Sequence, residues 1–444
     1  MSARLFGTDG VRGKAGEYPL DPATVRRIGT ALVRALVHDR PRVLIGRDTR
    51  ESGEWIEREL ANGAQGAGAE VVSAGVIPTP GVAYLTRAEG FAAGVVISAS
   101  HNPYEDNGIK VFSGTGEKFT EKVEREVEAI VADTTWEAPA GDASAVPLGA
   151  LVEPYLAHLR EVLPDPGALR GRRVALDAAN GATSRVAPRL FESIGFDIES
   201  IGITPNGRNI NLACGSTHPE PLATLVVKGG HTLGVAFDGD GDRAIFIDEL
   251  GRIVDGDAVM LMCARHLKRE NRLRGNVVVA TVMSNIGLEI ALRDSGIDLV
   301  RCQVGDKYVM EEMLKRGASL GGEQSGHVIF SDYLFTGDGL CTALQVLRVM
   351  SATGRTLGDL ASDLTTYPQV LVNVRVKRKT EVADVPQLAA AIARVETRLA
   401  GRGRLLVRYS GTEPLLRIML EGPDQAAIKA WAEEIASEVR HHLA

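Results

Sequence analysis

Short apolar runs alternate with helix-period stretches along most of this chain, and that alternation limits the fold more than any other feature. Arg42 to Ile45, Glu70 to Ser73, Gly94 to Ser98, Arg173 to Leu176, Leu233 to Phe237 and Val277 to Thr281 read as buried strands. Asp21 followed by Pro22 reads as an N-cap with proline in the first turn, after which Val25, Ile28, Leu32 and Leu36 recur at helical spacing. Glu51 to Gln65 reads as a second helix. Repeated strand–helix units predict α/β domains with mainly parallel sheets. The C-terminal part is patterned differently. Val370 to Val376, Arg404 to Tyr409 and Leu415 to Leu420 are strand-like and a helix from Gln425 to His441 closes the chain, which predicts a smaller α+β domain.

A chain of 444 residues exceeds one hydrophobic core and suggests roughly three or four domains. Breaks in the pattern near Glu137 to Pro147, Gly251 and Tyr367-Pro368 divide it into 1–150, 151–251, 252–367 and 368–444. The net charge of −7 argues against a nucleic-acid partner while leaving room for a local basic pocket. Cys214, Cys263, Cys302 and Cys341 are far apart and show no metal-ligand spacing, so they are expected as reduced, buried thiols. MSARLFGTDGVRG at the start has no apolar signal region, and no apolar run is long enough for a membrane span, so no membrane association is expected and the location is cytoplasmic.

Four polar or glycine-rich segments interrupt the apolar pattern, three of them directly after an expected strand. Ligands of open α/β sheets collect beyond the carboxyl ends of strands. Ser98-Ala99-Ser100-His101-Asn102-Pro103 puts the Ser100 hydroxyl just past a strand end, and no Gly-x-Ser-x-Gly hydrolase pattern is present. Asp238-Gly239-Asp240-Gly241-Asp242-Arg243 alternates carboxylates with glycines. Such a cluster repels itself unless a cation sits in it, and oxygen-only ligands select a hard ion such as Mg²⁺. An EF-hand loop competes with this reading, since Glu249 stands where its twelfth position would be, but Arg243 occupies the sixth, where that loop needs glycine.

Gly321-Gly322-Glu323-Gln324-Ser325-Gly326-His327 offers Glu323 and Ser325 to sugar hydroxyls and His327 to proton transfer, and upstream Gly305-Asp306-Lys307 offers a phosphate-facing lysine in Lys307. Arg408-Tyr409-Ser410-Gly411-Thr412-Glu413-Pro414, with Arg417 close behind, has the guanidinium forks and hydroxyls that suit a phosphate dianion. Gly7 to Gly13 places Arg12 in a glycine-rich loop. Arg47 and Arg50 read equally as anion ligands or structural salt bridges. Lys110 is a candidate proton carrier if its pKa is lowered in a closed site.

These segments, in this order from Gly7 to Arg417, resemble the α-D-phosphohexomutase superfamily. Phe6 to Gly13, Cys214 to Glu220 and Gly322 to His327 are similar to its amino-sugar branch. The resemblance implies three α/β domains with mixed, mainly parallel sheets and a smaller C-terminal α+β domain around a central cleft. It implies that Ser100 carries a phosphoryl group and that Asp238, Asp240, Asp242 and a phosphoserine oxygen hold one Mg²⁺. It gives Glu323 and Ser325 the sugar, and Arg408, Ser410, Gly411, Thr412 and Arg417 the non-reacting phosphate. Arg12, His101, Lys110, Arg243 and His327 become the surrounding basic and acid–base groups. The implied reaction interconverts glucosamine 6-phosphate and glucosamine 1-phosphate on the way to UDP-N-acetylglucosamine and cell-wall precursors. Glucosamine 1,6-bisphosphate or glucose 1,6-bisphosphate is the implied activator, and a homodimer is compatible. Three alternatives stand beside it: the same chemistry on mannose or glucose phosphates, a non-catalytic phosphosugar-binding protein, and a metal phosphatase.

Overall fold

The computed structural model describes residues 5–7, 9–36, 39–139, 141, 146–147, 151–410 and 414–443. The chain forms two compact units, one of residues 1–283 and 295–363, the other of residues 284–294 and 364–444. The fold class is α/β, with helices packed on mixed sheets and a small C-terminal three-stranded sheet.

The larger unit holds three sheets. The first contains β1 (Val11–Lys14), β2 (Arg42–Arg47), β3 (Glu70–Val76), β4 (Ala93–Ile97), β5 (Asp106–Ser113) and β6 (Val146–Pro147), in the order β1-β5-β4-β2-β3-β6. β2 runs parallel to β3 and β4, whereas β5 is antiparallel to β4 and to β1. Every residue of β4 is buried, as its unbroken apolar sequence requires. Val25, Ile28 and Leu32 of the helix Pro22–Ala35 pack into the same core as Ile45, Val95, Ile97 and Ile109. Asp21 caps that helix, its side chain accepting from the Thr24 N–H at 3.0 Å, with Pro22 in the first turn.

The second sheet contains β7 (Arg173–Asp177), β8 (Asp197–Ile201), β9 (Leu233–Phe237), β10 (Ala244–Ile247) and β11 (Ile253–Val254), in the order β11-β10-β9-β7-β8. The third contains β12 (Val277–Thr281), β13 (Asp298–Cys302), β14 (Leu320–Gly322) and β15 (Val328–Phe330), in the order β13-β12-β14-β15. β11 carries the second sheet past Gly251, because Phe246 and Ile247 pair with Val254 and Ile253. All four cysteines are free thiols; Cys214, Cys263 and Cys341 are buried and Cys302 is partly exposed.

The smaller unit has β16 (Gln369–Arg375), β17 (Arg404–Tyr409) and β18 (Leu415–Glu421), all antiparallel, in the order β16-β18-β17. Leu416, Ile418 and Leu420 alternate toward a core completed by Leu388, Ala391 and Val395 of the helix Pro386–Leu399 and by Ile428, Ala432 and Ile435 of the helix Gln425–Leu443. The helix Ile286–Asp294 also belongs here. Asn285 exchanges two 3.0 Å hydrogen bonds with the Tyr367 backbone, and buried Glu421 accepts from the Ile286 N–H at 3.1 Å. Among the described residues no helix is long and apolar enough to cross a membrane.

Candidate active site

Ser100 lies beyond the carboxyl end of β4 with φ of +52°, a left-handed conformation that is uncommon for any residue but glycine. Such a conformation persists only where surrounding bonds hold it. The Ser98 hydroxyl accepts from the Ser100 N–H at 2.9 Å and donates to Asp48 at 2.6 Å. The Ser100 carbonyl accepts from Arg50 Nη2 and from Asn211 Nδ2, each at 2.9 Å. Arg50 also donates to the carbonyls of Asn102, Pro103 and Asp106, while its Nε meets Asp48 at 2.9 Å in a fully buried pair. Arg50 therefore clamps the serine loop, and Arg47 pairs with Glu57 and Glu54. Both are structural salt bridges and not anion ligands.

Ser100 Oγ donates to Asp238 Oδ2 at 2.5 Å. Asp238 to Arg243 form the hairpin between antiparallel β9 and β10. Two glycines make this approach feasible. A Cβ on Gly239 would come within 2.5 Å of the Ser100 carbonyl oxygen, and Gly241 has φ of +73°. The EF-hand alternative fails here, because the flanks are strands and Glu249 accepts from Thr356 Oγ1 at 2.6 Å and the Gly358 N–H at 3.1 Å.

Asp238, Asp240 and Asp242 are all buried and each offers an oxygen within 4.8 Å of the others. Thr79, at the start of the helix Thr79–Ala88, donates to Asp240 Oδ2 at 2.7 Å. Lys110 Nζ lies 2.8 Å from Asp240, 3.4 Å from Asp242 and 3.1 Å from Asp9. Burial would lower the lysine pKa, but these three carboxylates outweigh it and hold it well above the usual value. The shift runs upward, opposite to the lowered pKa expected of a proton carrier.

The donor set fits a divalent cation. Asp240 Oδ1 and Asp242 Oδ1 are buried without a hydrogen-bond partner. Burial and then the charges of Asp242 and Asp240 push the Asp238 carboxyl well above its usual range, the sign of a cluster short of positive charge. Oxygen ligands alone, at this spacing, suit a hard ion such as Mg²⁺.

Beside this cluster opens a cavity of about 550 Å³, lined by Asp9, Arg12, His101, Arg243, Asp306 and Glu323 among others. Arg12 lies on β1, opposite Gly108, and not in a loop as expected; it donates to the Ala99 carbonyl at 3.4 Å and pairs with Asp9. Asp9 is held well below its usual pKa, since Lys110, Lys118 and Arg12 outweigh the effect of burial. His101 Nδ1 is 3.3 Å from Ser100 Oγ, and burial with the nearby charges of Arg243 and Arg12 lowers its pKa. Arg243 Nε is 3.8 Å from Asp242 Oδ1. Glu323 follows β14, its Oε1 accepting from the Gly305 N–H at 3.2 Å, while exposed Ser325 reaches Glu323 Oε2 at 3.4 Å.

Two expected site residues have other employment. Lys307 Nζ bonds Glu124 at 2.7 Å in a nearly buried pair, so it faces a carboxylate and not the cavity. His327 Nδ1 lies 3.6 Å from Asp242, and its Nε2 accepts from the Gly337 N–H at 3.1 Å. Burial lowers its pKa and Asp242 more than reverses this, yet the Gly337 amide requires a lone pair on Nε2. That leaves the ring proton on Nδ1, directed toward Asp242 at a separation longer than a hydrogen bond. In the smaller unit Arg408 and Arg417 are direct partners across β17 and β18, and buried Ser410 follows β17. Gly411 and Thr412 lie outside the described residues.

Sequence reasoning passed over Asp9, Thr79, Lys118, Asn211 and Asp306. Lys118 joins two walls of the cavity, bonding Asp9 at 2.5 Å and also Asp306. Asp9 stands in the glycine-rich Gly7 to Gly13 segment that singles out Arg12, and Asp306 beside Lys307 in Gly305-Asp306-Lys307, whereas Thr79, Lys118 and Asn211 lie outside the four polar or glycine-rich segments.

Four family profiles match the chain: phosphoglucomutase/phosphomannomutase α/β/α domain I over residues 3–138, domain II over 153–251, domain III over 255–367 and the C-terminal domain over 371–438. Fold and site thus define the phosphohexomutase class. The solved structure of a phosphoglucomutase/phosphomannomutase family protein from Burkholderia thailandensis superposes with a TM-score of 0.81 at 24% identity, covering 99% of this chain and 98% of that one. N-acetylphosphoglucosamine mutase of Aspergillus fumigatus, solved with GlcNAc-6P and magnesium, gives a TM-score of 0.64 at 18% identity over 98% of this chain and 95% of its own. The phosphoglucosamine mutase of Solibacter usitatus is 51% identical over the full length of both chains. The chain belongs to the phosphoglucosamine mutase family.

Proposed function

We propose that this mutase interconverts glucosamine 6-phosphate and glucosamine 1-phosphate through a phosphoryl group carried on Ser100. The observation that carries the reading is the Ser100 hydroxyl bonded to Asp238 of a buried three-aspartate cluster. The C1 hydroxyl of glucosamine 6-phosphate attacks the phosphorus, the P–Oγ bond breaks, and the sugar's proton is recovered, in net terms, by Ser100 Oγ. That restores the serine hydroxyl that donates to Asp238 here. The bisphosphate then turns around, Ser100 Oγ attacks its 6-phosphorus, the P–O6 bond breaks and the serine proton passes, in net terms, to O6, leaving glucosamine 1-phosphate.

Phosphoryl transfer needs positioning and charge neutralisation above all. Arg12 and Arg243 supply fixed positive charge at the cavity wall, and Lys110 neutralises the aspartates behind it. Asp238, Asp240 and Asp242 would hold Mg²⁺, which when bound supplies Lewis-acid stabilisation of the charge on the serine oxygen. Glu323 and Ser325 hold the sugar, and Arg408, Ser410 and Arg417, with Gly411 and Thr412, form the phosphate-recognising element of the C-terminal unit. A hexose 1,6-bisphosphate, of glucosamine or glucose, would load Ser100 initially.

Intact-protein mass spectrometry with site mapping should find one phosphate, on Ser100, after incubation with glucose 1,6-bisphosphate. Ser100→Ala should stay folded, take up no phosphate and lose at least about a thousandfold in kcat. Substantial mutase activity in that variant would end the covalent reading. Stoichiometric release of inorganic phosphate by the wild type would point to a phosphatase.

A further inference from the structure

Three carboxylates, Asp9, Asp306 and Glu323, line a cavity that has to accept a phosphorylated sugar. Carboxylates repel phosphate, so each needs a reason to be there. Asp9 has one: Lys118 bonds its Oδ1, and Arg12 and Lys110 (3.1 Å) meet its Oδ2. Glu323 faces Ser325 and the Gly305 amide in the loop that grips sugar hydroxyls. Asp306 is different. Its Oδ1 accepts from the Lys307 N–H at 2.7 Å and its Oδ2 from Lys118, a cation that it shares with Asp9. A carboxylate has roughly four acceptor sites, so capacity remains on Asp306 for another donor.

Its position is equally specific. An Asp306 oxygen lies within 4.8 Å of an Asp242 oxygen and a His327 ring nitrogen. Asp242 belongs to the aspartate cluster that Ser100 touches through Asp238. Asp306 is therefore a cavity-lining carboxylate at the edge of the phosphoryl-transfer centre. The substrate proposed above has one cationic group, the ammonium on C2, and it is vicinal to the O1 that exchanges phosphoryl with Ser100. When O1 faces the serine, the ammonium lies within reach of whatever surrounds that centre.

We propose that Asp306 is a specificity-determining residue that accepts a hydrogen bond from the 2-ammonium of the sugar, with Lys118 holding its carboxylate in place. This rests on the glucosamine reading and goes further by naming the group that tells glucosamine from glucose. A glucose phosphate presents a neutral hydroxyl at C2 and forms a weaker bond, because hydrogen bonds between charged partners are the stronger kind.

The test compares kcat/KM for glucosamine 6-phosphate and glucose 6-phosphate in the wild type, Asp306→Asn and Glu323→Gln, with Mg²⁺ and glucose 1,6-bisphosphate present. D306N keeps an oxygen for the Lys307 N–H and should lower the glucosamine-to-glucose ratio about tenfold or more. E323Q should lower both substrates together. Asp306→Ser also removes the carboxylate while leaving the Gly305 N-cap of its helix untouched, and it makes the same prediction should D306N fold poorly. A wild type that prefers the amino sugar and a D306N or D306S that retains the preference would overturn the proposal alone. A loss of preference in E323Q but not in D306N would do the same. A wild type without preference would overturn it together with the glucosamine reading.

Discussion

The chemistry of this chain depends on close backbone approaches at single positions. Ser100 is held in a left-handed conformation by Ser98, Arg50 and Asn211, and Gly239 is the residue that lets its carbonyl come near the aspartate hairpin. A methyl group on Gly239 would meet the Ser100 carbonyl oxygen at 2.5 Å and Asn211 Nδ2 at 2.8 Å, and backbone cannot yield as a flexible side chain does. Gly239→Ala should therefore displace the serine from the aspartates, at a cost of roughly 1–3 kcal/mol, and lower kcat/KM by at least about a hundredfold, since small misplacements in a reacting pair cost that much. Steady-state kinetics and Mg²⁺ titration calorimetry would measure this, and wild-type values for both would contradict the approach described here. The aspartate triplet was legible because glycine spacing betrays a backbone folding around a ligand. Asp9, Lys118 and Asp306 were not, because their contacts span 109 and 188 positions of sequence.

Secondary elements carry their own tests. The helix Gly339–Thr353 begins at Asp338, whose side chain accepts from the Cys341 N–H at 2.9 Å and from the Tyr155 hydroxyl at 2.8 Å. Burial raises the Asp338 carboxyl to about 6 despite these bonds. Its pKa in the folded chain thus exceeds the unfolded value of 3.8. The folded state binds the proton more tightly, so the contribution is fully present below the unfolded value and is lost as the pH rises through the folded one. The loss is on the order of 3 kcal/mol. Asp338→Asn keeps a capping oxygen and removes this titration. Thermal unfolding of both proteins at pH 4 and pH 8 should show the variant gaining relative to wild type at the higher pH. Equal differences at the two values would refute the assignment.

Strand and helix interiors were read correctly where apolar periodicity was unbroken, as in β4, β9 and β12. The bounds of β9 and β12 match those expected, and β4 lies one residue earlier, at Ala93–Ile97, because pairing with β5 sets its last hydrogen bond. β1 falls where the sequence predicts a loop, since Val11-Arg12-Gly13-Lys14 has one apolar residue and becomes a strand only by pairing with β5.

The chain as a whole is built of two units with separate cores. Scanning calorimetry should resolve their unfolding, and a cation held by Asp238, Asp240 and Asp242 should stabilise only the larger one. At a Mg²⁺ concentration a hundred times its Kd the gain would be about 2.7 kcal/mol. EDTA should reverse it, and the Asp240→Asn variant should respond less. A Mg²⁺-induced shift confined to the C-terminal unit would argue against the aspartate site. The make-up of the smaller unit was not visible beforehand. Nothing local in residues 284–294 says that they leave their neighbours to join residues 364–443; the Asn285, Ile286 and Glu421 bonds decide that.

From the amino-acid order alone come the α/β class, the most apolar strands and the first helices, and the three glycine- or polar-rich turns that hold Ser100, the aspartates and Glu323. Those features depend on neighbours within a few residues, where periodicity and glycine geometry act directly. The ion pairs of Lys110 with Asp9, Asp240 and Asp242, the tautomer of His327, the pairing of Lys307 with Glu124 and the place of Asp306 in the cavity wall were set only by the folded chain. Each depends on which charges and amides meet across long stretches of sequence, and burial then makes those meetings decisive.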